Sequence, residues 1–207
     1  MKVSKISLLL RKGYKRISFE EGKSLDVCLE SVVVFKLKVG RVLSDKEFEK
    51  LREGEGERRF YDLALKFLSY RPRSEREIRN KLKEKGAEEK VIGKIVERLK
   101  GMKLVDDEEF CRWFVEQRGR YRPRGVRMIY GELMKKGVDR EVLEKLLVDD
   151  GGDKEEKMVS DAYDKYKRKK RNVGERDFRN KAYGYLSRLG FRYDLVKSVI
   201  EKKEEKE

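Results

Sequence analysis

The sequence predicts a mainly α-helical chain of three tandem three-helix repeats in an elongated array, with a small β-rich N-terminal region. The tetrapeptide Tyr-Arg-Pro-Arg at 70–73 recurs at 121–124, 51 residues later, and holds both prolines of the chain. Apolar residues around each copy follow the 3.6-residue period of a helix. Only 38% of the residues are hydrophobic and 46% are charged, which favours small modules, each burying a narrow stripe, over one deep core.

Residues 1–55 are predicted to form the β-rich region. Val3–Leu10 and Tyr14–Phe19 have the composition of two strands about a turn at Lys12-Gly13. Leucine and valine alternate with polar residues over 25–29, which predicts a third strand. We therefore expect a small antiparallel sheet before the repeats.

Two interpretations stay open for residues 32–35. Their β-branched side chains favour a strand, whereas Ser31 before them could cap a short helix. Further on, Ser44 and Glu47 predict a capping box that starts a helix. Glycines at 54 and 56 are expected to interrupt this helix and leave a short flexible link to the repeats.

The first repeat is predicted over residues 57–106. Pro72 ends its first helix, and Ser74 with Glu77 predicts a second capping box that opens the next helix. Gly86 is expected to close that helix as a C-terminal cap. The apolar stripe of the first helix comprises Phe60, Leu63, Ala64, Phe67 and Leu68, and that of the third comprises Val91, Ile92, Ile95, Val96 and Leu99.

The second repeat, 107–150, and the third, 153–201, follow the same plan. Lys85-Gly86 of the first repeat recurs as Lys136-Gly137. A weaker third copy ends at Leu189-Gly190, and its loop at 171–174 has no proline. Terminal repeats commonly depart from the pattern of the inner ones.

Three further features belong to the second and third repeats. Asp106 and Asp107 supply N-cap chemistry where the second repeat begins. Trp113 falls in an apolar helical stripe and is expected to lie in the core. Residues 149–153, Asp-Asp-Gly-Gly-Asp, predict a linker between the two repeats.

The composition argues against catalysis, cofactor binding and metal binding. The chain has no histidine, and its two cysteines, Cys28 and Cys111, are far apart, so no zinc site is predicted and a reduced, cytoplasmic setting is expected. Gly22-Lys23-Ser24 resembles the end of a phosphate-binding loop, but Ile17 stands where its first glycine should be. No apolar run is long enough to span a membrane.

The charge points to a polyanionic partner. The formal net charge is +15, and solvation alone does not favour one sign. Six arginines and one acid, Glu116, lie between residues 112 and 127. Guanidinium groups bind carboxylates and phosphates alike, so this face suits an acidic protein groove, a DNA backbone or both. The alternative is a solvated loop between helices.

The stretches "LALKFLSYRPRSEREIRNKLKEKG", "LVDDEEFCRWFVEQRGRYRPRG" and "YLSRLGF" are similar to the three-repeat RecX proteins, from about residue 60 to residue 200. The resemblance implies a non-catalytic modulator that docks into the groove of a RecA filament on single-stranded DNA and suppresses ATP hydrolysis and strand exchange. It also implies that residues 31–38 form a short helix.

We therefore expect a monomer that binds the RecA filament and, through its basic surface, single- and double-stranded DNA. One alternative is a helical-repeat DNA-binding protein without a recombinase partner, with Tyr70 and Tyr121 stacking on bases. Another is a scaffold for acidic proteins. The candidate residues for RecA or DNA binding are Arg71, Arg73, Lys85, Arg118, Arg120, Arg122, Arg124, Arg127, Lys135, Lys136, Lys169 and Arg171.

Overall fold

The N-terminal region is a three-stranded antiparallel sheet followed by a short helix. A computed structural model describes residues 1–10, 13–148, 152–170 and 175–205. Strands β1 (Val3–Leu8), β2 (Tyr14–Phe19) and β3 (Ser24–Cys28) lie in that order, and α1 spans Leu29–Val34. The sheet is thus confirmed, although β1 ends two residues before the predicted Leu10. Lys12 of the predicted turn lies outside the described residues.

The segment after β3 resolves the ambiguity at residues 32–35 in favour of a helix. The Cys28 thiol, rather than Ser31, caps α1 by accepting the Ser31 N–H at 3.3 Å. Leu29 starts this helix instead of ending the predicted third strand. The resemblance correctly implied a helix here, but it ends at Val34, before the implied residue 38.

Helix α2 runs without interruption over Asp45–Leu68, so the predicted break at Gly54 and Gly56 is wrong. The Ser44–Glu47 capping box forms as predicted. Between the two glycines, Glu55 is only 5% exposed and accepts the Cys28 N–H at 3.2 Å. Because this contact and the packing of Leu51 bury α2 against the sheet, tertiary structure outweighs the roughly 1 kcal/mol helix penalty of each glycine.

The C-terminal half of α2 packs with α3 (Glu75–Glu84) and α4 (Glu89–Gly101) as the first repeat. The predicted stripes meet in one core that includes Ala64, Ile78, Leu82, Ile92 and Val96. Ser74 accepts the Glu77 N–H at 3.2 Å, but Glu77 does not complete the predicted capping box. Its carboxylate instead reaches Arg71 and Lys136.

The second repeat comprises α5 (Asp107–Tyr121), α6 (Val126–Lys135) and α7 (Arg140–Leu143), which continues as a π-helical turn over Glu144–Val148. Asp106 caps α5 as predicted, accepting the N–H groups of Glu108 and Glu109. Trp113 is only partly buried at the edge of this core, which corrects its assignment to the interior.

The third repeat comprises α8 (Gly152–Lys169), α9 (Glu175–Arg188) and α10 (Tyr193–Glu204). Since α8 starts at Gly152, the predicted linker is helical at its end, whereas 149–151 lie outside the described residues. The proline-free loop at 171–174, which includes the candidate Arg171, also lies outside the described residues.

The second helix of each repeat ends at an equivalent glycine. Gly86, Gly137 and Gly190 have φ of +83°, +83° and +84°, the left-handed conformation of a C-terminal cap. The described residues after α1 contain no named strand. No helix in the described ranges is both long enough and apolar enough to span a bilayer.

Candidate functional site

The first and second repeats are joined through the start of α3. Ser74 Oγ donates a 2.6 Å hydrogen bond to the carbonyl of Lys136, at the end of α6. The Glu75 N–H donates to Asp107 Oδ1, at the start of α5, at 2.9 Å. The N-terminal turn of α3 is therefore held at both sides by the following repeat.

Two candidate residues, Arg71 and Lys136, form ion pairs within this joint. The Glu77 carboxylate lies 2.9 Å from the Arg71 guanidinium and 2.7 Å from Lys136 Nζ, and Arg71 also covers the ring of Trp113 at 5.4 Å. Burial would raise the pKa of Glu77, but the hydrogen bonds and charges of Arg71 and Lys136 outweigh it and lower the pKa to about 2. Both cations are therefore paired within the joint, and their role in binding stays a prediction.

Arg73 and Arg118 are also engaged within the molecule. Arg73 lies 3.8 Å over the ring of Phe67 and donates from Nε to the Phe67 carbonyl at 3.3 Å, and burial lowers its pKa. Arg118 forms a 2.6 Å ion pair with Glu132. Both side chains are thus fixed against their own repeats.

The joint between the second and third repeats has the same plan. Gly125, 51 residues after Ser74, donates its N–H to the Leu189 carbonyl at 2.9 Å. The next N–H, that of Val126, donates to Glu155 Oε1 at 3.0 Å. A Cβ at position 125 would collide with the Gly190 carbonyl, so glycine here permits the close approach of two backbones.

Three arginines lie between the end of α5 and the first turn of α6. The side chains of Arg122, Arg124 and Arg127 make no ion pair or hydrogen bond within the described part of the chain. Arg122 and Arg127 are exposed, Arg124 is half-buried, and Tyr121 beside them is 68% exposed. We call Tyr121, Arg122, Arg124 and Arg127 the arginine loop.

The two copies of the tetrapeptide differ because their partners differ. Arg122 corresponds to Arg71, but the position of Glu77 is occupied by Met128. Arg124 corresponds to Arg73, but the position of Phe67 is occupied by Arg118. Comparing the repeats at positions beyond the tetrapeptide would have distinguished the copy at 70–73, whose arginines have partners, from the copy at 121–124, whose arginines have none among the described residues.

The remaining candidates are scattered. Arg120 has only a solvent-exposed pair with Glu116 at 3.6 Å, which leaves it available for binding. Lys85, Lys135 and Lys169 are exposed and form no ion pair with another described residue. Tyr70, the counterpart of Tyr121, is 72% exposed.

The arginine loop has binding chemistry rather than catalytic chemistry. Guanidinium groups donate hydrogen bonds to carboxylates or phosphates, and an exposed tyrosine ring can stack on a base. The described residues contain no cluster of three or more potential metal ligands. Cys111 is buried, and burial raises the pKa of its thiol to about 11, so it is a poor nucleophile.

Comparisons with known proteins identify what the chain resembles. The family model described as "RecX, first three-helix domain" matches residues 61–99, and "RecX, second three-helix domain" matches residues 106–147. The regulatory protein RecX of Geobacillus thermodenitrificans is 30% identical over 181 residues, which cover 87% of this chain and 67% of the relative. That of Bacillus subtilis is 26% identical, with coverage of 89% and 70%.

A solved structure supports the fold over nearly the whole chain. The crystal structure of a regulatory protein RecX superposes with a TM-score of 0.69 and 25% identity, covering 97% of this chain and 98% of the other. RecX from Lactobacillus salivarius superposes with a TM-score of 0.62 and 24% identity, covering 72% and 97%. The fold is therefore shared well beyond the two repeats that the family models match.

Proposed function

Because the chain belongs to the RecX family of regulatory proteins, we propose that it binds the RecA filament on DNA and restrains its ATPase, recombinase and coprotease activities. Its role is regulatory rather than catalytic. The observation that carries the proposal is the arginine loop, where three guanidinium groups without an ion pair to any described residue flank the Gly125 hydrogen bond of the second joint.

The surroundings of the arginine loop favour a macromolecular, anionic partner. Gly125, between Arg124 and Arg127, is held by its backbone hydrogen bond to Leu189, and Arg118, three residues before Tyr121, is held by its ion pair with Glu132. A preorganised cationic surface loses little conformational entropy on binding. Its arginines can bind acidic side chains of the filament, phosphates of single- or double-stranded DNA, or both.

The proposal is tested by measuring the affinity of the fluorescently labelled protein for RecA filaments on single-stranded DNA. The triple change Arg122→Ala, Arg124→Ala and Arg127→Ala should weaken binding by at least about tenfold, since charged interface contacts are worth roughly 2 kcal/mol or more. Its melting temperature should stay near that of the wild type, because these side chains form no ion pair within the described residues.

A matched control removes the same charge elsewhere. Lys38, Lys46 and Lys50 are exposed and form no ion pair with any described residue, so their triple alanine variant should bind filaments as the wild type does. The C-terminal lysines are unsuitable, because Lys202 pairs with Glu156 and Lys203 with Asp164. Equal weakening by both triple variants would contradict the assignment of the site.

A second candidate function is DNA binding without a recombinase partner. The observation that favours it is the equivalent exposure of Tyr70 and Tyr121, each directly before an arginine. In that case Tyr121→Ala should weaken binding to single-stranded DNA by about 1–3 kcal/mol. The affinity for naked DNA would fall steeply with salt and would be unchanged by adding RecA.

A further inference from the structure

The first repeat has the acceptor carbonyl that forms a joint in the other repeats, but no repeat precedes it. In the other two repeats, the last carbonyl of the second helix accepts a hydrogen bond from the preceding repeat: Lys136 from Ser74, and Leu189 from Gly125. The equivalent carbonyl belongs to Lys85, and it accepts no hydrogen bond from a described residue. Gly86 has the same φ as its counterparts, yet no described atom lies within 4 Å of where its Cβ would be.

The surface around Lys85 corresponds to the surface that is covered in the second repeat. Lys85 borders a cleft of about 450 Å³ on α2. Fifty-one residues on, its lining residues Asp62, Leu63 and Lys85 become Trp113, Phe114 and Lys136. In the filled joint, Arg71 covers the ring of Trp113, Glu77 pairs with Lys136, and Lys136 in turn lies over the ring of Phe114. The cleft is lined by Arg59, Phe60, Asp62, Leu63, Lys66 and Lys85.

The N-terminal region leaves this surface open. Gly86 also lines a second cleft, of about 720 Å³, which separates α2 and α4 from residues of β2 and β3 such as Tyr14 and Leu25. The Tyr14 hydroxyl donates a 2.6 Å hydrogen bond to Asp62 beside this cleft. Both Lys85 and Gly86 remain exposed.

The cleft is lined by three cations and one acid, Asp62, which accepts the Tyr14 hydroxyl, so its net charge favours an acidic occupant. Arg59, Lys66 and Lys85 are exposed and form no ion pair with a described residue. In the filled joint, Lys136 binds the carboxylate at the third position of α3, and a small N-cap residue, Ser74, meets the carbonyl. The same two features in a partner helix would satisfy Lys85 and its carbonyl.

We propose that the Lys85–Gly86 end of α3, which we call the open joint, binds the N-terminal turn of a partner helix with a small N-cap residue and an acidic residue three positions later. This inference rests on the proposed function, because we assign that helix to a protomer of the RecA filament. The partner helix takes the position that a preceding repeat would take, so the array continues from the regulator onto its target.

The test compares two charge reversals on one helix in the filament-binding measurement. Lys85→Glu should weaken binding by at least about tenfold, and Lys83→Glu, at an exposed position of α3 outside both clefts, should change it by less than about twofold. Equal effects of the two changes, or no effect of Lys85→Glu, would overturn the open joint while leaving filament binding intact.

Failure of the proposed function has a different signature, because the wild-type protein would then not bind filaments at all. The open joint is in that case tested with a synthetic peptide of residues 70–86, which fills the equivalent surface of the second repeat. Peptide binding that is lost with Lys85→Glu in the protein or with Glu77→Gln in the peptide supports the open joint. Absence of peptide binding overturns it. A homodimer that Lys85→Glu dissociates would also overturn the assignment, since the occupant would be a second copy.

Discussion

At the scale of single residues, identical tetrapeptides have different roles because a cation's role depends on its partner. Arg71 and Lys136 flank Glu77 inside the joint, whereas Met128 occupies the position that corresponds to Glu77, and Arg122 forms no ion pair with a described residue. From charge alone, the sequence could not tell which arginines are already paired within the fold. Arg73 and Arg118, both named as candidates for RecA or DNA binding, have aromatic and acidic partners within the fold, and their role in binding stays a prediction.

Glu77→Gln tests the joint at this scale. The change leaves Arg71 and Lys136 without a carboxylate in a partly buried site, and we expect it to lower the free energy of unfolding by about 2–3 kcal/mol at neutral pH. Thermal or denaturant unfolding measures the loss. A change below about 0.5 kcal/mol would show that the ion pairs contribute nothing to stability.

The pH dependence of the free energy of unfolding, compared between the wild type and Glu77→Gln, gives a second prediction. The folded-state pKa of Glu77, about 2, lies below the ordinary 4.5. Its contribution of about 3 kcal/mol is therefore present in full above about pH 4.5 and is lost as the pH falls towards 2. We expect the stability difference between wild type and Glu77→Gln to shrink over that range. A constant difference would contradict the assigned ion pairs.

At the scale of elements, the sequence predicted the helices well and their continuity poorly. The prolines marked the ends of α2 and α5, and the terminal glycines marked the ends of α3 and α6, because these signals act locally. The glycines in α2 were misinterpreted, since the burial of Glu55 and Leu51 against the sheet is a long-range effect. The predicted boundary between residues 55 and 57 falls inside this helix, and the other domain boundaries remain predictions.

The continuity of α2 is testable with Gly54→Ala and Gly56→Ala together. A Cβ at either position meets no described atom within 4 Å, so alanine should stabilise the helix by about 0.5–1 kcal/mol per site. Chemical denaturation measures the gain. If residues 54–56 formed a flexible link, the double change would leave the unfolding midpoint unmoved.

Because the backbones of Gly125 and Gly190 approach closely at the second joint, replacing Gly125 and replacing the nearby Gly131 should have opposite effects on stability. Gly125→Ala places a Cβ against the Gly190 carbonyl and should destabilise the protein by about 1–3 kcal/mol. Gly131→Ala, inside α6, meets no described atom within 4 Å and should stabilise it by up to about 1 kcal/mol. Equal effects on the melting temperature would argue against the joint.

At the scale of the whole molecule, each repeat buries its own small core and is tied to the next by one kind of joint. This division follows from the composition, because a chain with 46% charged residues cannot fill one deep core. The joints were not predictable from periodicity, since they depend on single hydrogen bonds such as those of Ser74 and Gly125. They hold the arginine loop in the middle of the array.

The central claim is that this loop acts on RecA, and the most direct measurement is the rate of single-strand-dependent ATP hydrolysis by the cognate RecA. We predict that the wild-type protein lowers the rate, that the Arg122, Arg124 and Arg127 triple alanine variant fails to lower it at the same concentration, and that the Lys38, Lys46 and Lys50 variant acts as the wild type does. A rate that the wild-type protein leaves unchanged, at concentrations that saturate the filament, would contradict the account.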